Sequence, residues 1–161
     1  MYRKVLDKLS EWKSSSRRKP LILKGARQVG KTWLMKEFGK QNYEKTFYFS
    51  FENDSELQKI FATNKDPYRI VSLLGTIKND KIEKEKHLII FDEIQECPNA
   101  LNSFKYFCED ANEYHVIAAG SLLGTLLAEP MSYPVGKVNL LDVYPMDFEE
   151  FLGAVNPPLL K

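Results

Sequence analysis

The chain has 161 residues, with 23 Lys+Arg against 22 Asp+Glu and a formal net charge of +1. That balance gives no global field for drawing in a nucleic acid or an anionic membrane, and it argues against a dedicated basic clamp in this segment. Hydrophobic residues at 43% and charged residues at 28% suit one globular domain rather than a disordered chain, and no apolar run approaches the roughly 18 residues that a spanning helix needs.

Tyr2, Val5, Leu6, Leu9 and Trp12 recur at near-helical spacing and predict an amphipathic N-terminal helix, followed by a polar break from Ser14 to Lys19. Asp7 and Glu11 and the lack of an apolar stretch speak against a targeting peptide. Pro20 to Gly25 reads as a buried strand, and Lys31 to Gly39 as a helix with the glycine as its C-terminal cap. Thr46 to Phe51, rich in aromatic residues, is the second expected strand. Ser55 to Ile77 reads as helix in two pieces broken at Asp66-Pro67, and Lys78 to Lys86 as a solvated connection.

His87 to Asp92 is the third expected strand, Asn99 to Asn112 a helix, and His115 to Ala119 the fourth strand. Lys137 to Val143 completes five strands, and a short helix over Met146 to Leu152 precedes a Pro-rich tail. Strands alternating with helices predict a three-layer α/β/α domain with a mainly parallel sheet covered on both faces, and the Gly25-to-Thr32 loop between the first strand and its helix, a match to G-x-x-x-x-G-K-S/T, makes it the P-loop NTPase class. The expected organisation is an N-terminal helix and linker (1–19), a core (20–152) and a Pro-rich tail (153–161). Cys97 and Cys108 form neither a CxxC pair nor a zinc set. They read as packing residues of a reduced, cytoplasmic protein. His87 and His115, at strand starts without paired ligands, read as structural.

Gly25-Ala26-Arg27-Gln28-Val29-Gly30-Lys31-Thr32 matches the phosphate-binding pattern G-x-x-x-x-G-K-S/T without a mismatch. In such a loop the backbone N–H groups turn toward phosphate oxygens, and the dipole of the following helix faces the same anion. Lys31 would reach the β and γ phosphates, and the Thr32 hydroxyl would ligate Mg²⁺. Side chains of Arg27 and Gln28 read as structural or surface contacts.

Leu88-Ile-Ile-Phe-Asp92-Glu93 places two carboxylates at the far end of an apolar strand. Beside the phosphate loop, Asp92 suits Mg²⁺ held through water, and Glu93 suits the general base that polarises an attacking water. Ser121, after Ala118-Ala119-Gly120, is either a hydroxyl that senses the γ phosphate or the N-cap of a helix over 122–127. All the arginines (Arg3, Arg17, Arg18, Arg27, Arg69) precede residue 70, so the second half offers only lysines to neutralise transition-state charge. Lys137 is the best placed of these, although a surface or strand-start lysine is the preferred reading. No sequence feature identifies the adenine pocket, for which Tyr2 and Arg3 are only guesses. Asn64-Lys65-Asp66-Pro67 carries Pro where the guanine-reading Asp of N-K-x-D belongs, which argues against a GTPase.

These residues together resemble the AAA-type ATPases of the family whose members usually carry a DUF4143 region downstream. The segments that carry the likeness are 18–33, Leu-Ile-Ile-Phe-Asp-Glu-Ile-Gln (88–95), Ala-Gly-Ser-Leu-Leu-Gly (119–124) and Tyr-Pro-Met-Asp-Phe-Glu-Glu-Phe-Leu (144–152). The resemblance implies that Gly30, Lys31 and Thr32 bind phosphate and Mg²⁺, that Asp92 serves the metal and Glu93 the water, and that Ser121 occupies a sensor position. It also implies ATP as substrate and a C-terminal domain as partner, with 153–161 as the start of the linker to it; a protein partner or self-association is the further expectation, and nucleic acid is unsupported by this segment. A nucleotide-gated interaction module with little hydrolysis is the alternative reading, motivated by the missing arginine.

Overall fold

The computed structural model describes residues 2–121 and 134–155. Its strands are β1 (Leu21–Lys24), β2 (Lys45–Ser50), β3 (His87–Asp92), β4 (His115–Ala119) and β5 (Asn139–Asp142). They form one sheet in the order β2-β3-β4-β1-β5, and every pairing is parallel. All C-terminal strand ends therefore share one edge, where Lys24, Ser50, Asp92 and Ala119 lie. β3 and β4 are buried along their whole length, as interior parallel strands require, and their sequences are accordingly near-continuous apolar runs.

Side chains alternate across the sheet with the two-residue period of a strand. Leu23, Ile90 and Ile117 face α1 (Lys4–Ser14) and α2 (Lys31–Asn42), where Leu9, Leu34 and Phe38 are fully buried. Ile22, Phe91 and Val116 face the opposite layer, made by α3 (Ser55–Thr63), α4 (Pro67–Ile77) and α5 (Pro98–Asp110). There Phe91 meets Phe51, Phe61 and Phe104 at ring-centroid separations of 5.5, 5.6 and 6.2 Å. The expected three-layer α/β/α architecture is present.

Several boundaries have identifiable causes. Asp54 and Asp66 cap α3 and α4 by accepting from the N–H groups of Leu57 and Tyr68, and Pro67 occupies the first turn that tolerates it. α2 does not stop at Gly39 but runs on to Asn42, with Tyr43 N–H closing on the Gly39 carbonyl at 3.0 Å. Gly39 is instead a packing residue, since a Cβ there would lie 2.1 Å from Thr46 Cγ2. The charged connection 78–86 is not wholly solvated, because Ile82 is buried in the core. β5 is shorter than its predicted span, and the last described helix, α6, covers Phe148–Val155 rather than 146–152.

At the start of α6, Asp147 and Glu150 form a reciprocal capping box, each carboxylate accepting the other's backbone N–H at 2.8 and 2.9 Å. Buried Glu150 also accepts from Lys4 N–H at 2.7 Å and pairs with Arg3 at 3.3 Å, which ties α6 to α1. Cys97 is buried, Cys108 is half-buried, and both are free thiols. The helix expected over 122–127 and the tail after 155 lie outside the described residues. No helix among the described residues is long and apolar enough to cross a membrane.

Candidate functional site

The loop between β1 and α2 begins at Gly25, packed so tightly against β5 that a Cβ would sit 2.4 Å from the Val143 carbonyl oxygen. Close approach, rather than a special dihedral, requires the first glycine. Further on, Gln28 has φ 61° and Gly30 φ 90°, left-handed positions that curl the backbone into an anion-binding concavity. Arg27 and Gln28 form a turn, and among the described residues no backbone carbonyl is in hydrogen-bonding geometry with the N–H groups of Ala26, Arg27, Gln28 or Gly30. Gly30 is also the N-cap of α2 and supplies no capping side chain, so the positive end of the helix dipole is left open toward the same space. Val29 turns the other way, into the core beside α1.

Lys31, the first residue of α2, is buried, and its Nζ donates to the carbonyls of Gly25 and Ala26 at 2.8 and 2.6 Å. Burial pushes its ammonium below the ordinary lysine value, while Glu93 and Asp92 pull it back up. Thr32 Oγ1 donates to Asp92 Oδ2 at 2.6 Å. Tyr48 OH, from β2, donates to the same oxygen at 2.7 Å, and Glu93 N–H donates to Oδ1 at 3.0 Å. Both oxygens of the buried Asp92 carboxylate are thus oriented. Burial first, and then the bond to Asp92, raises the Tyr48 phenol above its usual value, so it stays a donor.

Glu93 adopts a left-handed conformation (φ 52°, ψ 44°) where β3 turns into a 3₁₀ turn over Ile94–Glu96. Its carboxylate accepts from Gln95 Nε2 at 2.6 Å. Buried Ser121 follows β4 and lies 3.5 Å from the same nitrogen through its Oγ. A cleft of about 530 Å³ opens at this edge, lined by Arg27, Gln28, Gly30, Lys31, Thr32, Trp33, Glu52, Asp92, Glu93 and Ser121. Hydroxyl and carboxylate oxygens are the donor set that Mg²⁺ takes, so Thr32 and Asp92, with Glu93 and Glu52 beside them, fit that ion chemically. A cleft of similar size, about 570 Å³, lies between Tyr68 and Tyr114 toward the other end of the sheet and has no phosphate-binding loop.

The five polar residues predicted for the chemistry, Lys31, Thr32, Asp92, Glu93 and Ser121, line one cleft. Other residues named from the sequence lie elsewhere, and Lys137 is the strand-start surface lysine of the preferred reading. Tyr2 and Arg3 do not line it. Arg3 lies behind the loop, donating to the carbonyls of Val29 and Tyr144 at 3.1 and 2.8 Å. Lys137 pairs with Glu109 at 3.2 Å, ahead of the N-terminal end of β5 and thus at the opposite edge of the parallel sheet. Arg27 and Gln28 do face the cleft. Sequence reasoning missed Tyr48, Glu52, Trp33 and Gln95. Only Trp33, next to Thr32, and Gln95, two residues after the carboxylate pair, carried a positional hint.

Glu44, Glu83 and His87 also gather closely enough to suggest a metal. His87 Nδ1, however, accepts the Glu83 backbone N–H at 2.9 Å. The neutral ring then carries its proton on Nε2, which faces the Glu83 carboxylate at 3.7 Å. This is a hydrogen-bonded structural histidine, as expected, and His115 is likewise buried, 2.6 Å from Tyr43 OH.

Comparison with known proteins agrees with this architecture. A family model described as an AAA domain, AAA_14, matches residues 17–152. Comparison with curated proteins gives no match. Among solved structures, the chain is similar to the Walker-type ATPase PABY2304 of Pyrococcus abyssi, with 19% identity, TM-score 0.59, and coverage of 96% of this chain and 57% of that one. It is similar to a RuvB mutant of Thermotoga maritima, with 16% identity, TM-score 0.58, and coverage of 99% and 52%. It is also similar to AMPPCP-bound DnaA from Aquifex aeolicus, with 15% identity, TM-score 0.55, and coverage of 97% and 49%. The chain therefore spans about half the length of these neighbours, which share its fold. From the family match and the P-loop ATPase fold together, the chain belongs to the AAA domain family.

Proposed function

We propose that the cleft binds Mg-ATP and that the domain hydrolyses it to ADP and phosphate. The observation that carries this reading is the direct contact of Thr32 with Asp92, at 2.6 Å, beside the open N-terminus of α2. The loop N–H groups and the helix dipole would hold the phosphates, and the Lys31 ammonium would exchange the Gly25 and Ala26 carbonyls for β and γ oxygens. Mg²⁺, when bound, would neutralise charge on those oxygens, held by the Thr32 hydroxyl and, through water, by Asp92. Glu93 would take the proton of a water attacking the γ phosphorus as the bond to the β-γ bridging oxygen breaks, leaving ADP and inorganic phosphate. Ser121 would contact the γ phosphate.

Turnover would then act on a domain joined beyond residue 153, of the DUF4143 kind that the resemblance implies. The nucleotide-gated interaction module remains the second reading, favoured by one observation. Of the five arginines, only Arg27 lines the cleft.

Glu93→Gln separates the two. Under the hydrolase reading ATP binding persists, and turnover falls by about 100-fold or more, the usual contribution of a general base. Unchanged turnover would remove Glu93 from that role, and negligible turnover by the wild-type protein would leave the binding module.

A further inference from the structure

We propose that Gln95 is a positioning residue whose single amide nitrogen holds the Glu93 carboxylate beside the Ser121 hydroxyl, so that base and phosphate contact are set as one unit. The proposal rests on the reading of Glu93 as the base.

The left-handed backbone at Glu93 turns the chain back on itself, with Glu96 N–H on the Glu93 carbonyl at 3.1 Å and Cys97 N–H on that of Ile94 at 3.0 Å. That turn returns the Gln95 side chain toward the residue two positions earlier. Nε2 carries two protons, one for Glu93 Oε2 at 2.6 Å and one directed to Ser121 Oγ at the longer 3.5 Å. The reverse orientation of the amide would set Oε1 against a carboxylate, so the hydrogen-bond pattern chooses the orientation.

Gln95 Oε1 is buried and has no hydrogen-bond partner among the described residues. It rests against Gly120, where a Cβ would lie 2.0 Å away. An unpaired buried acceptor detracts from stability, so fold stability alone does not account for this amide. The arrangement does serve the cleft. A hydroxyl can accept from Gln95 and donate to a phosphate oxygen at once, so Ser121 can hold phosphate while Gln95 keeps the Glu93 carboxylate at that same point. Gly120 is then required by the width of the glutamine side chain.

The test uses the whole chain with Gln95→Leu, and with Gln95→Met as a second apolar replacement of similar length. Expected is a fall in kcat of about 10- to 100-fold, the scale set by misplacing a reacting group by an ångström, with ATP affinity by calorimetry within about two-fold of wild type. In a Glu93→Gln background, the same substitution should leave the single-turnover rate unchanged, because its effect passes through Glu93. Gly120→Ala, which crowds the amide, should copy the loss. Unchanged kcat in both apolar variants overturns the proposal, as does a loss that multiplies with Glu93→Gln or one matched by lost ATP affinity. Full turnover by Glu93→Gln alone instead overturns the base reading, before Gln95 is altered.

Discussion

Thr32 and Asp92, 60 positions apart in the chain, are joined by a hydrogen bond of 2.6 Å, and Tyr48 reaches the same carboxylate oxygen from β2 at 2.7 Å. Three elements thus converge on one oxygen, so its direction is set by the sheet register and not by local sequence. Hydrogen bonds to charged groups contribute about 1.5–3 kcal/mol. We expect Tyr48→Phe to raise the Mg²⁺ concentration needed for half-maximal ATP binding by roughly ten-fold, and Asp92→Asn to raise it further, while metal-free ATP affinity hardly changes. Trp33 lines the cleft and the other tryptophan, Trp12, is buried in α1, so Trp33 fluorescence during Mg²⁺ titration reads the effect. An unaltered Mg²⁺ requirement in Tyr48→Phe would leave the tyrosine as a packing residue.

Gly39 provides a test of sign. Helix propensity alone predicts that Gly39→Ala stabilises a helix interior by up to about 1 kcal/mol. The new methyl would meet Thr46 Cγ2 at 2.1 Å and Leu88 Cδ2 at 3.2 Å, and Thr46 is β-branched and stiff. We expect net destabilisation of about 1–3 kcal/mol, seen as a lower urea midpoint with an unchanged m value. A raised midpoint would mean that α2 can shift away from β2.

His115 predicts an acid-sensitive fold. Burial, with Arg18 and Lys13 adding to it, pushes its pKa down to about 4 from 6.5. Between those values the unfolded chain binds the proton and the native state does not, so stability is full above pH 6.5 and declines as pH falls toward 4. After allowance for solvent screening, the loss is on the order of 2 kcal/mol. His115→Phe keeps an aromatic ring near Trp12 and Tyr43, whose centroids lie 6.0 and 5.4 Å from the imidazole, but forfeits the Tyr43 hydrogen bond. The variant should be less stable at pH 7 by about 1 kcal/mol, and the gap should narrow or reverse near pH 4.5. Denaturant melts at the two pH values decide it, and parallel curves would assign the acid sensitivity elsewhere.

The elements differ in how visible they are from the sequence, for a physical reason. β3 and β4 begin and end where their apolar runs do, because an interior parallel strand is buried on both faces. β5 lies at the sheet edge and alternates between half-buried and exposed, so its apolar signal is diluted and its expected span is too long. Gly39 misled because a glycine near a helix end signals a cap in most contexts, and only the distance to Thr46 reveals a packing role.

The sequence by itself determined the α/β class, the order of its elements and the phosphate-binding loop, because each depends on residues close in the chain: apolar runs, capping residues and glycines at a fixed spacing. The tertiary structure alone decided what joins those parts. It brought Tyr48 onto Asp92, put Arg3 behind the loop on the Val29 and Tyr144 carbonyls, sent Lys137 to Glu109, and laid Gln95 between Glu93 and Ser121. Those contacts follow from strand order, register and turn geometry, which arise from packing the whole core and have no short-range signature in the chain.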